Sequence, residues 1–103
     1  MRARTPGLAV TCTHAGRQLD LVTVDVSPTG LRASGHGEAP HVNDHVELVP
    51  RAGEGLRRPL LARVVRVERT SETDFEIAVA FTIETALDRA AAAWLVGIAR
   101  RGG

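Results

Sequence analysis

The chain has 103 residues, 13 of them basic and 12 acidic, and a formal net charge of +1. So small a net charge excludes a long-range field that would draw in nucleic acid or an anionic membrane surface. Apolar residues make up 44% of the chain, yet no uninterrupted run approaches the ~20 residues of a membrane-spanning helix.

A chain of this length forms one domain, residues 1–103, burying roughly 65% of its unfolded surface around a single core. Residues 1–7, Met1-Arg2-Ala3-Arg4-Thr5-Pro6-Gly7, lack the apolar stretch of a secretory signal and are expected to form a flexible arm. Cys12 is the single cysteine, so no internal disulfide can form and a reducing cytoplasm is the expected compartment. All thirteen basic residues are Arg, which makes every cation a planar, permanently charged fork suited to phosphate or guanine edges.

Leu8 to Thr13 alternates, with Leu8, Val10 and Cys12 on one face, and reads as a strand ending at a His14-Ala15-Gly16 turn. Leu19 to Val26 is a second strand whose apolar phase slips. Leu19 and Leu21 share one parity, while Val22, Val24 and Val26 take the other. Such a slip predicts a β-bulge or a strand bending from one sheet layer to another, a device that curves sheets into barrels. Ser27-Pro28-Thr29-Gly30 has the residue order of a type I turn, and Leu31 to Ala33 opens a third strand.

Residues 34–44 read as a loop by composition, and His45 to Val49 as a fourth strand with Val46 and Leu48 inward. Pro50 to Pro59, with Arg51, Arg57 and Arg58, is an exposed hairpin connection. Leu60 to Val67 is a long strand with a second phase change, where Leu60, Ala62 and Val64 give way to Val65 and Val67. Phe75 to Thr82 alternates cleanly, with Phe75, Ile77, Val79 and Phe81 on one face. Six short strands at hairpin spacing predict a mainly β fold, a six-stranded antiparallel barrel over residues 8–82.

The period then changes. Thr85-x-x-Asp88 is a capping-box-like start for a helix over 85–101, whose stripe of Leu87, Ala91, Trp94, Leu95 and Ile98 faces the barrel with Trp94 as the plug. Ala92, Ala93, Val96 and Ala99 form a second small, apolar side. That side is either a partner-facing or self-associating surface, or the mark of helix propensity on an exposed face.

Chemistry concentrates in Asp25-Val26-Ser27-Pro28-Thr29-Gly30. The Asp25 carboxylate either braces the turn's N–H groups or faces outward as a pair of acceptors. Elsewhere the signals are bland. His41-x-x-x-His45 has metal-like spacing but straddles a loop and a strand, and His14 and His36 are lone loop residues. Cys12 lies on the apolar parity of its strand and reads as a small buried hydrophobe. No Ser–His–acid order, paired-carboxylate motif or phosphate-cradling glycine loop is visible, so neither catalysis nor a metal or cofactor is expected.

Six strands followed by a helix, with Asp-x-Ser-x-x-Gly at the end of the second strand, resembles the PilZ domain, a bacterial module many of whose members are receptors for cyclic di-GMP. Asp25, Ser27 and Gly30 match the family's Asp/Asn-x-Ser-x-x-Gly signature. Ala62-Arg63-Val64-Val65-Arg66-Val67 looks like its Gly-Arg-Val-Val strand and Ala78-Val79-Ala80-Phe81 like its Gly-Val-x-Phe strand, each with Ala for Gly. The resemblance implies that Asp25 accepts from a guanine edge, that Ser27 adds a hydroxyl bond, and that Gly30 supplies positive φ and room for the ligand.

The family's second motif is Arg-x-x-x-Arg ahead of the first strand. Arg4 stands where its second Arg would, while the position four residues earlier falls before Met1 and Arg2 is present instead. Arg2 and Arg4 lie ~6.6 Å apart in an extended chain, against ~13 Å for a four-residue step. The implied ligand-binding set is Arg2, Arg4, Asp25, Ser27 and Gly30. The loop arginines Arg51, Arg57 and Arg58 read as a solvated rim, from which one would stand in for the absent cation if the loop lies near the arm. The resemblance implies a non-catalytic effector whose arm the ligand orders. The alternative is a ligand-blind adaptor that works by protein–protein contact.

Overall fold

The computed structural model describes residues 3–4, 8–51 and 59–102. The elements are β1 (Ala3–Arg4), β2 (Ala9–His14), β3 (Arg17–Ser27), β4 (Gly30–His36), β5 (His45–Pro50), β6 (Leu60–Arg69), β7 (Asp74–Phe81) and α1 (Ala86–Gly102). Strands β2 to β7 close an antiparallel barrel in the order β3-β2-β5-β6-β7-β4, with β4 pairing back onto β3. Closure leaves no long unpaired edge. The two-residue β1 pairs with β3 on the edge that β2 uses, in line with β2, setting Ala3 opposite Val26 and Arg4 opposite Asp25.

The β2–β3 hairpin turns through Ala15 and Gly16, both at positive φ (51° and 77°). That pattern belongs to a type I′ turn, whose twist suits two adjoining strands. At the β3–β4 hairpin, Ser27 pairs with Gly30, and neither Pro28 nor Thr29 has positive φ. This excludes types I′, II and II′ and agrees with type I.

Both phase slips are β-bulges. On β3, Thr23 faces Ala33 and Asp25 faces Arg32, leaving Val24 as the extra residue; on β6, Val64 faces Val79 and Arg66 faces Ala78, leaving Val65 extra. The first slip begins one valine later than the sequence pattern suggests, since Val22 stays on the outer face, 45% exposed. Before each bulge one parity points inward (Leu21 and Thr23; Ala62 and Val64), and after it the parity reverses.

Phe75, Ile77 and Val79 of β7 pack with Leu21, Leu31 and Leu48 in one core, as their alternation requires. Strand β4 is longer than expected, because Ser34-Gly35-His36 continues the ladder to Glu76, Phe75 and Asp74. The glycine that reads as loop in the sequence is buried against Leu21 and Phe75: a Cβ on Gly35 would stand 2.6 Å from Leu21 Cδ2 and 2.8 Å from Phe75 Cζ.

Helix α1 begins with a reciprocal capping box. Asp88 N–H donates to Thr85 Oγ1 at 3.1 Å, and the Asp88 carboxylate accepts from the backbone N–H groups of Glu84 and Thr85, each at 3.1 Å. The helix packs against β1, β3 and β6, but its buried face is rotated from the predicted stripe. Ala91, Ala92, Leu95 and Val96 are buried, Leu87 is 57% exposed and Trp94 is half-buried. Two alanines and a valine let the helix approach the barrel closely, which a Trp-centred face would prevent. The expected second face therefore splits: Ala92 and Val96 belong to the core and Ala93 is exposed.

Candidate functional site

The site begins at the β3–β4 turn. Ser27, 7% exposed, braces it with its hydroxyl, which donates to the Gly30 carbonyl at 3.2 Å, lies 3.2 Å from the Thr29 hydroxyl and accepts from the Thr29 N–H at 3.4 Å. The turn is tied to β7 by the Phe81 N–H, which donates to the Thr29 carbonyl at 2.9 Å. Gly30 sits against β7, where a Cβ would stand 2.1 Å from the Val79 carbonyl oxygen. Its φ is not in the positive region, which corrects the expectation drawn from the resemblance. Glycine is needed here for close backbone approach, not for a left-handed conformation.

The Val24 bulge decides where Asp25 goes. In an unbroken ladder Asp25 would follow Thr23 into the core; the extra residue turns it to the outer face beside Arg32. There its carboxylate is 4% exposed and bound by that guanidinium: Arg32 Nε donates to Asp25 Oδ2 at 2.8 Å, and Nη2 lies 2.6 Å from the same oxygen. Arg32 Nη1 reaches Glu76 Oε1 on β7 at 3.4 Å. Hydrogen bonding and charge from Asp25 hold the Arg32 guanidinium above its ordinary pKa, with Glu76 adding a smaller pull. A buried carboxylate, a cation fixed between two acids and a braced turn form one corner, able to meet a ligand that carries both N–H donors and anionic oxygens.

Strand β1 brings Arg4 to this corner, since the backbone register sets it opposite Asp25. Arg2, Arg57 and Arg58 lie outside the described residues. Arg51, from the same connection, is paired with Asp20 at 3.3 Å. Arg32 and Glu76 were missed by sequence reasoning. Glu76 is one of several outward acids, and Arg32 becomes notable only once the bulge sets it beside Asp25. The one available signal was its place two residues after Gly30.

The other candidates have structural occupations. Cys12 is fully buried, and burial pushes its thiol up to about 11. His14 Nε2 lies 3.1 Å from Asp44 Oδ2 and His41 Nδ1 lies 3.8 Å from it. Among the described residues no group of three or more His, Cys, Asp or Glu is arranged to hold a metal ion. An open groove of about 540 Å³, lined by His14, His45, Glu47, Leu61 and Glu84 among others, shares no residue with the Asp25 corner. No described helix is long and apolar enough to cross a membrane.

The sequence pattern of the PilZ domain family matches residues 4–96, which takes in Arg4 of β1, the whole barrel and most of α1. This chain belongs to the PilZ domain family. Its fold is similar to the PilZ domain of CeSA from a cellulose-synthesising bacterium, with TM-score 0.75 and 19% identity over 94% of this chain and 95% of that one. It is similar also to the PilZ domain of Escherichia coli YcgR, solved with c-di-GMP, with TM-score 0.78 and 14% identity over 98% and 89%. A third similar structure is the Bacillus subtilis inhibitor of motility (MotI/DgrA), with TM-score 0.67 and 18% identity over 98% of this chain and 49% of that one. No curated protein matches the chain. Within this PilZ domain, Asp25, Ser27 and Gly30 of the signature occupy one corner, two of them with evident structural duties and the third with its carboxylate ion-paired.

Proposed function

We propose that this PilZ domain is a non-catalytic cytoplasmic receptor for cyclic di-GMP, which it binds at the corner formed by Arg4, Asp25, Ser27 and Gly30 with Arg2 on the arm ahead. Asp25 accepts from the guanine's ring N–H and exocyclic amine, and the arginines take phosphate oxygens and ring faces. Ligand bound between the arm and the corner orders the N-terminal segment and so changes the surface a partner protein meets. The observation that carries this reading is the register of β1, which brings Arg4 level with the buried Asp25 carboxylate. The likeness to a YcgR domain solved with c-di-GMP supports it.

Calorimetric titration with cyclic di-GMP is the test, with Asp25→Asn as the variant because it keeps size and one acceptor. Binding by the parent and a loss of about 30-fold or more in the variant is the expected result, the scale of a buried charge-assisted contact. No binding by the parent overturns the reading. One observation favours a second reading, a ligand-blind adaptor acting by protein contact: Arg32 already occupies the Asp25 carboxylate, so a guanine must share or displace it.

A further inference from the structure

The two bulges end on the same cross-strand row. Asp25 on β3 faces Arg32 on β4, Arg32 faces Ala78 on β7, and Ala78 faces Arg66 on β6. Residues directly opposite in antiparallel ladders share a face, so these four form one belt across the outside of the barrel. Its span is three strand spacings, about 14 Å. Without the Val65 bulge, Arg66 would face inward with Ile77; the extra residue turns it out level with Ala78, as the Val24 bulge turns out Asp25. Two independent ladder defects, on strands that do not pair with each other, thus present an acid and a base three strands apart on one row.

Between them the floor is low. Ala78 separates Arg32 from Arg66, and its neighbour on the same face, Ala80, lies opposite Gly30. The other outward cation of this part of β6, Arg63, donates to Asn43 Oδ1 at 2.8 Å. Arg66 is 67% exposed and bonded to Glu68, itself 57% exposed, on its own strand. An exposed ion pair of that kind contributes little and is readily exchanged for another anion.

Resting on the cyclic di-GMP reading, we propose that Arg66 is a phosphate-binding residue of the same site: it takes a phosphate of the ligand whose guanine is held at Asp25, across the floor of Ala78. The belt supplies a further cation for the ligand from within the barrel. It also sets the ligand's direction, running from β3 over β4 and β7 to β6.

The experiment is titration of cyclic di-GMP into the full chain and its Arg66→Ala, Ala78→Leu and Arg51→Ala variants, with Asp25→Asn as reference. Arg66 is exposed and Ala78 faces outward, so folding, checked by circular dichroism, should be retained. Arg66→Ala should weaken binding about tenfold or more, the scale of one hydrogen bond to a charged group, and flatten its salt dependence. Ala78→Leu should weaken it comparably with every charge in place. Arg51→Ala, which removes the same charge away from the belt, should stay within about twofold. Binding that Asp25→Asn abolishes but Arg66→Ala and Ala78→Leu leave unchanged overturns this inference and leaves the receptor reading standing. No binding by the parent removes both.

Discussion

Arg32 reaches across from β4 and closes on one oxygen of Asp25 with two nitrogens, Nε at 2.8 Å and Nη2 at 2.6 Å, while Nη1 extends to Glu76. The pair is half-sheltered, with the acid 4% and the arginine 33% exposed. Removing the cation leaves a buried carboxylate without the Arg32 counter-charge. Arg32→Met is expected to lower the thermal midpoint by a few degrees for a domain of this size. Asp25→Asn/Arg32→Met should lose less than the sum of the single variants, because the two share one interaction. Strict additivity in thermal or urea unfolding would show that the pair contributes nothing.

Gly30 carries a prediction that needs no ligand. A methyl group there would overlap the Val79 carbonyl oxygen at 2.1 Å, and backbone cannot move aside as a flexible side chain can. Gly30→Ala should therefore cost about 3 kcal/mol or more, at the upper end for overpacking, and weaken the β4–β7 ladder. Wild-type unfolding of this variant in ligand-free buffer would mean that the glycine serves the ligand instead.

Cys12 should be inert in the folded protein. Burial raises its pKa from 9.0 to about 11, so the thiolate is scarce at neutral pH and the sulfur is fully covered. A disulfide reagent at pH 8 should label the chain only in denaturant. The linked effect has a definite sign. With the folded pKa raised, the unfolded state loses its proton first, so stability is full below about pH 9 and falls between about 9 and 11, by about 2–3 kcal/mol. Cys12→Val should remove that part of the alkaline decline.

At the start of α1, Thr85→Ala removes the hydroxyl that accepts from the Asp88 N–H. The expected loss is about 1 kcal/mol, read by chemical denaturation, and Thr85→Ser should restore it. An unchanged midpoint for the alanine variant would mean that Asp88 caps the helix alone.

Asp74, held by His36 at the end of the β4–β7 ladder, has its carboxyl pKa lowered, first by that hydrogen bond. A lowered folded pKa contributes stability above the ordinary carboxylate range, which is lost as pH falls through the folded value. Asp74→Asn should make unfolding less sensitive to acid on that side. An acid limb identical to the parent's would exclude the pair as a contributor.

Much of this architecture is carried by local pattern. Alternation along Phe75 to Phe81 marks β7 because side chains of a strand alternate between faces, and the two phase slips mark both bulges because one extra residue reverses parity. Thr85 and Asp88 mark the helix start through bonds made within one turn. The Asp25-to-Gly30 signature was equally visible. With the element order around it, that signature resembles the PilZ domain's.

What distance along the chain concealed, the barrel decided. Gly30 reads as a residue of special φ, yet its reason is the Val79 carbonyl forty-nine positions later. The helix face could not be chosen from Leu87, Trp94 and the alanines, because helical spacing does not show which side finds a close-fitting surface. Arg32, Glu76 and Arg66 were ordinary charges in the sequence. They acquire a place beside Asp25 only through strand register, and register belongs to pairs of strands and not to either one alone.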